Sequence, residues 1–174
     1  RFYERLGFVR DASFLRLVRR GRRVASRRPT NASVQRPLGL KMALAADRKA
    51  FGADRSKLIR SLLSTEGWYV GSFKNRKWQC FLVVKDYGDM SEFGPWVCLN
   101  PRSTEPSDLL LNALSKRGNK RIEIACLRSN KRALAMLKAN GFRVVREGYR
   151  MYFCSRARIG VDSANYALGF LDKG

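Results

Sequence analysis

The chain has 174 residues, 45% of them apolar, and carries 36 Lys and Arg against 14 Asp and Glu with no His, a net charge of +22. That length suits one ordinary domain with an appendage, and the apolar share is enough to bury a core, which excludes global disorder. The lack of His rules out a Ser-His-Asp triad, a Cys-His pair and an imidazole zinc site, and no apolar run approaches the ~20 residues of a membrane span.

The charge is uneven. Residues 1–40 hold 11 Arg and two acids, net +9, and nothing between Ala12 and Ala46 is acidic. A merely solvated basic surface usually intersperses acids, so the pattern favours an anionic partner. The four cysteines, Cys80, Cys98, Cys126 and Cys154, never form CxxC and fall in apolar runs. There a free Cys behaves as a small buried hydrophobe; disulfides stay open, and a reduced compartment, cytoplasm or organellar matrix, fits better. The first residue is Arg, which reads as a fragment or a processed form.

In chain order, Arg1–Phe8 reads as a helix stopped by Gly7, and Phe14–Val18 as a strand. The stretch RRGRRVASRRPTNASVQRPLG that follows has linker chemistry, with an Arg-rich character like that of an organellar targeting segment. Leu40–Phe51 is a helix ended by Gly52, and Asp54 caps a second helix with Leu58, Ile59, Leu62 and Leu63 on one face. Trp68–Phe73 and Trp78–Lys85 read as strands joined by KNRK, and Phe93–Leu99 as another, with Pro95 marking an edge or bulge. Ser107 caps a helix bearing Leu110, Leu111 and Leu114, and Arg121–Leu127 is a strand. Ser129 or Asn130 caps a helix to Asn140, Gly141 takes the C′ place, and two strands follow near Val144 and at Tyr149–Phe153.

The segment NKRALAMLKANGF from Asn130 to Phe142, echoed by RFYERLGFVR at Arg1, and the order of elements around it resemble the GNAT superfamily of N-acetyltransferases. FGADR (Phe51–Arg55), FGPWV (Phe93–Val97) and YRM (Tyr149–Met151) look like the C-terminal half of a tandem GNAT protein. The resemblance divides the chain into residues 1–20, the tail of a preceding copy; 21–39, a basic linker; and 40–174, the GNAT-like domain. It implies an α/β fold whose mixed central sheet, flanked by helices, splays between its fourth and fifth strands, Phe93–Leu99 and Arg121–Leu127.

Acetyl-CoA or CoA would lie in that opening, its pantetheine arm added to the Phe93–Leu99 strand. The contacts implied are Trp96, Val97, Cys98 and Leu99 from the strand; Arg102, Ser103, Thr104 and Ser107 from the loop; and Asn130 and Ala133 from the last helix. A backbone N–H near Val97 or Cys98 would polarise the thioester, and an amine would attack after losing its proton to a carboxylate or through water. No metal is implied.

Two departures stand against this. The loop Leu99–Asp108 has no Gly, Pro101 and Pro106 lack N–H groups, and Glu105 and Asp108 bring negative charge where phosphates should sit. Leu137 stands where many GNAT enzymes place an acidic Tyr. Glu92, Asp89 and Glu123 are the nearest carboxylates to act as base, and none is singled out as catalytic. The chain therefore reads either as an acyltransferase half or as a non-catalytic basic module on RNA, within a ribosome-like assembly. In the second reading Arg16, Arg19, Arg20, Arg22, Arg23, Arg27 and Arg28, with Arg10 nearby, would contact phosphates.

Overall fold

The sequence echo is also an echo in geometry. In a computed structural model that describes residues 2–21, 38–64, 67–74, 77–100, 104–154 and 160–169, helix α1 (Phe2–Arg5) turns at Gly7 into strand β1 (Phe8–Arg19). Helix α5 (Lys131–Ala139) turns at Gly141 into β6 (Arg143–Phe153). Gly7 and Gly141 have φ of 88° and 85°, a left-handed conformation that glycine adopts without a Cβ penalty. The two strands then pair antiparallel, from Phe8 opposite Phe153 to Val18 opposite Arg143. The short strand expected at Phe14–Val18 is thus twelve residues long, and the two strands expected after Gly141 are one of eleven. Irregularities between Arg10 and Ala12 and between Arg16 and Leu17 let one long pair twist without breaking.

The remaining strands are β2 (Gly67–Lys74), β3 (Lys77–Tyr87), β4 (Met90–Cys98), β5 (Arg121–Leu127) and a short β7 (Asn165–Ala167) that the sequence did not announce. The sheet order is β2-β3-β4-β5-β1-β6, with β7 on β4. β1 lies inside the sheet, antiparallel to both β5 and β6, so the segment read as a tail of a preceding copy fills an interior place.

Helices α4 (Glu105–Arg117) and α5 cover one face, packing Leu109, Leu110, Ala113, Leu114, Leu134 and Leu137 on Leu82, Phe93, Ile122 and Ile124. Helices α2 (Leu38–Phe51) and α3 (Ser56–Ser64) cover the other over Phe81, Val83 and Val97. The Asp54 carboxylate accepts from the Ser56 N–H at the start of α3. The cap expected from Ser107 lies one turn earlier, at Thr104, because Pro106 fits the first helical turn, where its missing N–H costs nothing. Arg19 is buried, its guanidinium donating to the carbonyls of Gly118 (3.0 Å) and Asn140 (3.1 Å), so one cation closes the C-terminal ends of α4 and α5. Cys80 and Cys98 face each other on β3 and β4 with their sulfurs in contact, Cys126 is buried and Cys154 is exposed.

Candidate acyl-CoA fork

β4 and β5 run parallel and pair only from Met90–Arg121 to Phe93–Ile124. Beyond Phe93 the two strands part. The break falls at Gly94-Pro95, where proline has no N–H to continue the ladder. Of the edge or bulge expected at Pro95 the structure has the bulge, Gly94 and Pro95 lying where the β3–β4 register shifts between Leu82–Trp96 and Val84–Phe93, and the same place is a change of partner rather than a sheet edge.

The fork is filled by the chain itself. β7 runs antiparallel to β4, Ala167 opposite Trp96 and Asn165 opposite Val97, and the Leu168 N–H reaches the Ala125 carbonyl of β5 at 2.9 Å. The Tyr166 ring is fully buried 5.0 Å from the Trp96 ring, and burial pushes its phenol pKa up. The approach is so close that a Cβ on Gly94 would lie 2.9 Å from Gly169 Cα.

Residues from four other elements hold this segment. Asn130, at the start of α5, accepts from the Ala133 N–H and donates to the carbonyls of Asn165 (3.0 Å), Ser163 (3.3 Å) and Asp162 (3.4 Å). Arg55, before α3, stacks over Phe51, forks onto Asp47 and donates to the Leu168 carbonyl at 2.6 Å. Asn165 donates to the Ala50 carbonyl of α2 at 2.9 Å, and Arg150 of β6 pairs with Asp11 and Asp162. The motifs FGADR, FGPWV and YRM therefore converge on one object, the segment 161–169.

Magnitudes show how the fork is balanced. Burying a tyrosine of roughly 200 Å² contributes about 5 kcal/mol at most. Against it stand Trp96 Nε1, Asn165 Oδ1 and the Tyr166 hydroxyl, buried without a hydrogen-bond partner among the described residues, at about 1–3 kcal/mol each. The anchoring hydrogen bonds therefore decide the outcome.

Of the contacts the resemblance implied, Trp96, Val97 and Cys98 are fully buried, and Asn130 and Ala133 are buried beside the fork. Trp96, Val97 and Asn130 do meet at one place, but they meet around β7. Leu99 is partly buried against the α2–α3 side, and Thr104 and Ser107 sit at the start of α4 among Glu105 and Asp108. Arg102 and Ser103 lie outside the described residues. An acyl-CoA arm does not fit the fork as the chain stands, because the β4 edge and the Ala125 carbonyl are in use.

On the α2–α3 side of the sheet, beside the paired half of β4, is a cavity of about 500 Å³ lined by Phe14, Arg16, Tyr87, Met90, Glu92, Arg146, Glu147 and Gly148. Of the candidate bases, Glu92 faces this cavity; Glu123 is buried and held by Arg16 (2.8 Å) and Arg121 (2.6 Å). Asp89 stands in the β3–β4 turn, its carbonyl accepting from the Arg121 N–H. Among the basic residues, Arg16 and Arg19 serve these internal contacts, Arg10 pairs with Glu4, and Arg20 is exposed. Arg22, Arg23, Arg27 and Arg28 lie outside the described residues. Among the described residues no cluster of His, Cys, Asp and Glu could hold a metal, and no helix is long and apolar enough to cross a membrane.

A mixed sheet that forks between its parallel central strands, with helix pairs on both faces, is the GNAT architecture. A family model, Acetyltransferase (GNAT) domain, matches residues 43–166, and the chain belongs to that family. Its structure is similar to that of a Pyrococcus horikoshii protein assigned as an acetyltransferase, at a TM-score of 0.72 and 23% identity, covering 95% of this chain and 53% of that one. A GNAT-family protein of Novosphingobium aromaticivorans follows at 0.65 and 14% identity, covering 83% and 65%. The GCN5-related N-acetyltransferase of Sphaerobacter thermophilus gives 0.61 and 14%, covering 86% and 53%. The chain thus spans about half to two thirds of the length of these structures. No curated protein matched the chain.

Proposed function

We propose that this domain is one half of a two-copy, acyl-CoA-dependent N-acyltransferase, and that it serves as scaffold rather than as the cofactor-bearing half. The observation that carries the reading is the pairing of β1 with β6: the strand that follows the first helix–Gly–Phe unit completes the sheet that holds the second. Two copies joined this way share a strand, so the fold of one depends on the segment that ends the other. The span of about half of the Pyrococcus horikoshii protein supports the same arithmetic. GNAT domains in general use acetyl-CoA; here the closed fork and the acidic first turn of α4 argue that the chemistry sits in the other copy.

The test is a CoA-release assay with acetyl-CoA and a panel of primary amines. This chain alone is expected to give background rates, and a protein carrying both copies to give turnover. Amine-dependent CoA release by this chain alone would sink the reading.

A second reading, a non-catalytic module on RNA within a ribonucleoprotein, draws on the net charge of +22. It requires binding whose salt dependence flattens when Arg20, Arg22 and Arg23 are replaced; an unchanged slope removes the arm as the contact.

A further inference from the structure

We propose that β7 is a built-in occupant of the slot in which an acyl-CoA arm would add to β4, so that this domain takes no acyl-CoA until β7 is drawn out. The proposal deepens, and rests on, the reading of the domain as the half without cofactor. A pantetheine arm is an extended chain bearing two amides, and β7 is an extended peptide that pairs with β4 at Trp96 and Val97. Neighbouring strands lie about 4.8 Å apart, so one edge accepts one such chain at a time.

The occupant is no frayed tail. Tyr166 and Ala167 are fully buried, and anchors reach the segment from the start of α5, from the α2–α3 turn and from β6. A tethered strand also competes at an effective concentration on the order of millimolar, which a free ligand must exceed. Beneath it the fork keeps polar character: Trp96 Nε1 is buried without a partner among the described residues, and the Ala125 carbonyl of β5 loses the Leu168 N–H when β7 leaves. A slot of this kind, once opened, suits an amide-bearing chain better than an apolar one.

The experiment follows the melting temperature and calorimetric binding with acetyl-CoA at ~1 mM for three proteins. These are the wild-type chain, a chain ended after Val161, and Tyr166→Ala, which keeps the full length should the truncation fail to fold. The wild type is expected to show neither shift nor heat, and the opened variants a shift of several degrees that saturates. Binding by the wild type overturns the proposal, and this readout depends on no variant. A folded opened variant that ignores acetyl-CoA overturns it as well, since β7 would then not be what keeps the ligand out. In that case the two-copy reading stands, because only amine-dependent CoA release by this chain contradicts it.

Discussion

The side chain of Asn130 is the hinge pin between helix and fork: its oxygen caps α5 at the Ala133 N–H, and its nitrogen donates to the Asn165 carbonyl of β7 at 3.0 Å. Its two ends can be separated by substitution. Asn130→Ala should cost about 2–4 kcal/mol, a lost cap plus buried carbonyls left unpaired. Asn130→Asp keeps the cap acceptor but not the donor, and should still cost about 1–3 kcal/mol. Urea unfolding measures both; a wild-type midpoint for the Asp variant would show that the clamp on β7 contributes nothing.

Arg55 and Asp47 form a forked ion pair at 2.7 and 2.8 Å whose side chains are almost wholly buried. Removing one partner strands the other, so Asp47→Ala should cost about 3–5 kcal/mol. Replacing both with apolar residues, Asp47→Leu with Arg55→Met, should recover most of that loss, apart from the bond to the Leu168 carbonyl. A double variant no better than the single one in chemical denaturation would contradict this.

Burial by itself would raise the Asp86 carboxyl, but hydrogen bonds from Ser91 and from Arg117 (2.7 Å) hold it below its ordinary value of 3.8. Its ionised form therefore stabilises the fold fully above that ordinary value, and the contribution is lost as pH falls through the lower folded value. Asp86→Asn should lower stability at neutral pH and flatten the acid limb below about pH 4. A stability profile from pH 2 to 7 with an unchanged acid limb would refute it.

The free cysteines differ in reactivity. Burial pushes the Cys126 thiol up to about 12, whereas Cys154 is exposed. At pH 8 a thiol reagent should label the native chain at Cys154, and only unfolding should open Cys126 to it. Peptide mapping that finds Cys126 labelled in the native chain would contradict its burial.

Much of the frame was legible in the sequence. Apolar periodicity located the helices, and Gly7 and Gly141 announced two turns because only a residue without Cβ sits easily at such φ. Strand length was misjudged because polar residues break the alternation in β6, an exposed edge strand whose pairing with β1 comes from backbone rather than burial. FGADR, FGPWV and YRM were visible as motifs, but not their common target. Arg55 and Leu168 are too far apart in the chain for local pattern to join them. β7 itself is three residues long, below the length at which a period can be read. Its one signal was YALGF, an apolar run near the end of the chain. The departures in the Leu99–Asp108 loop and at Leu137 were legible as charge and missing donors, and the proposal of a half without cofactor draws on them.

The most direct test of the closed fork is amide hydrogen exchange on the wild-type chain, reading Leu168, whose N–H meets the Ala125 carbonyl, against Ile124 in the core of β5. If β7 is a resident strand, Leu168 exchanges only with global unfolding, as Ile124 does, and acetyl-CoA leaves its protection unchanged. Exchange of Leu168 as fast as that of a free terminus would show an open fork and contradict the account.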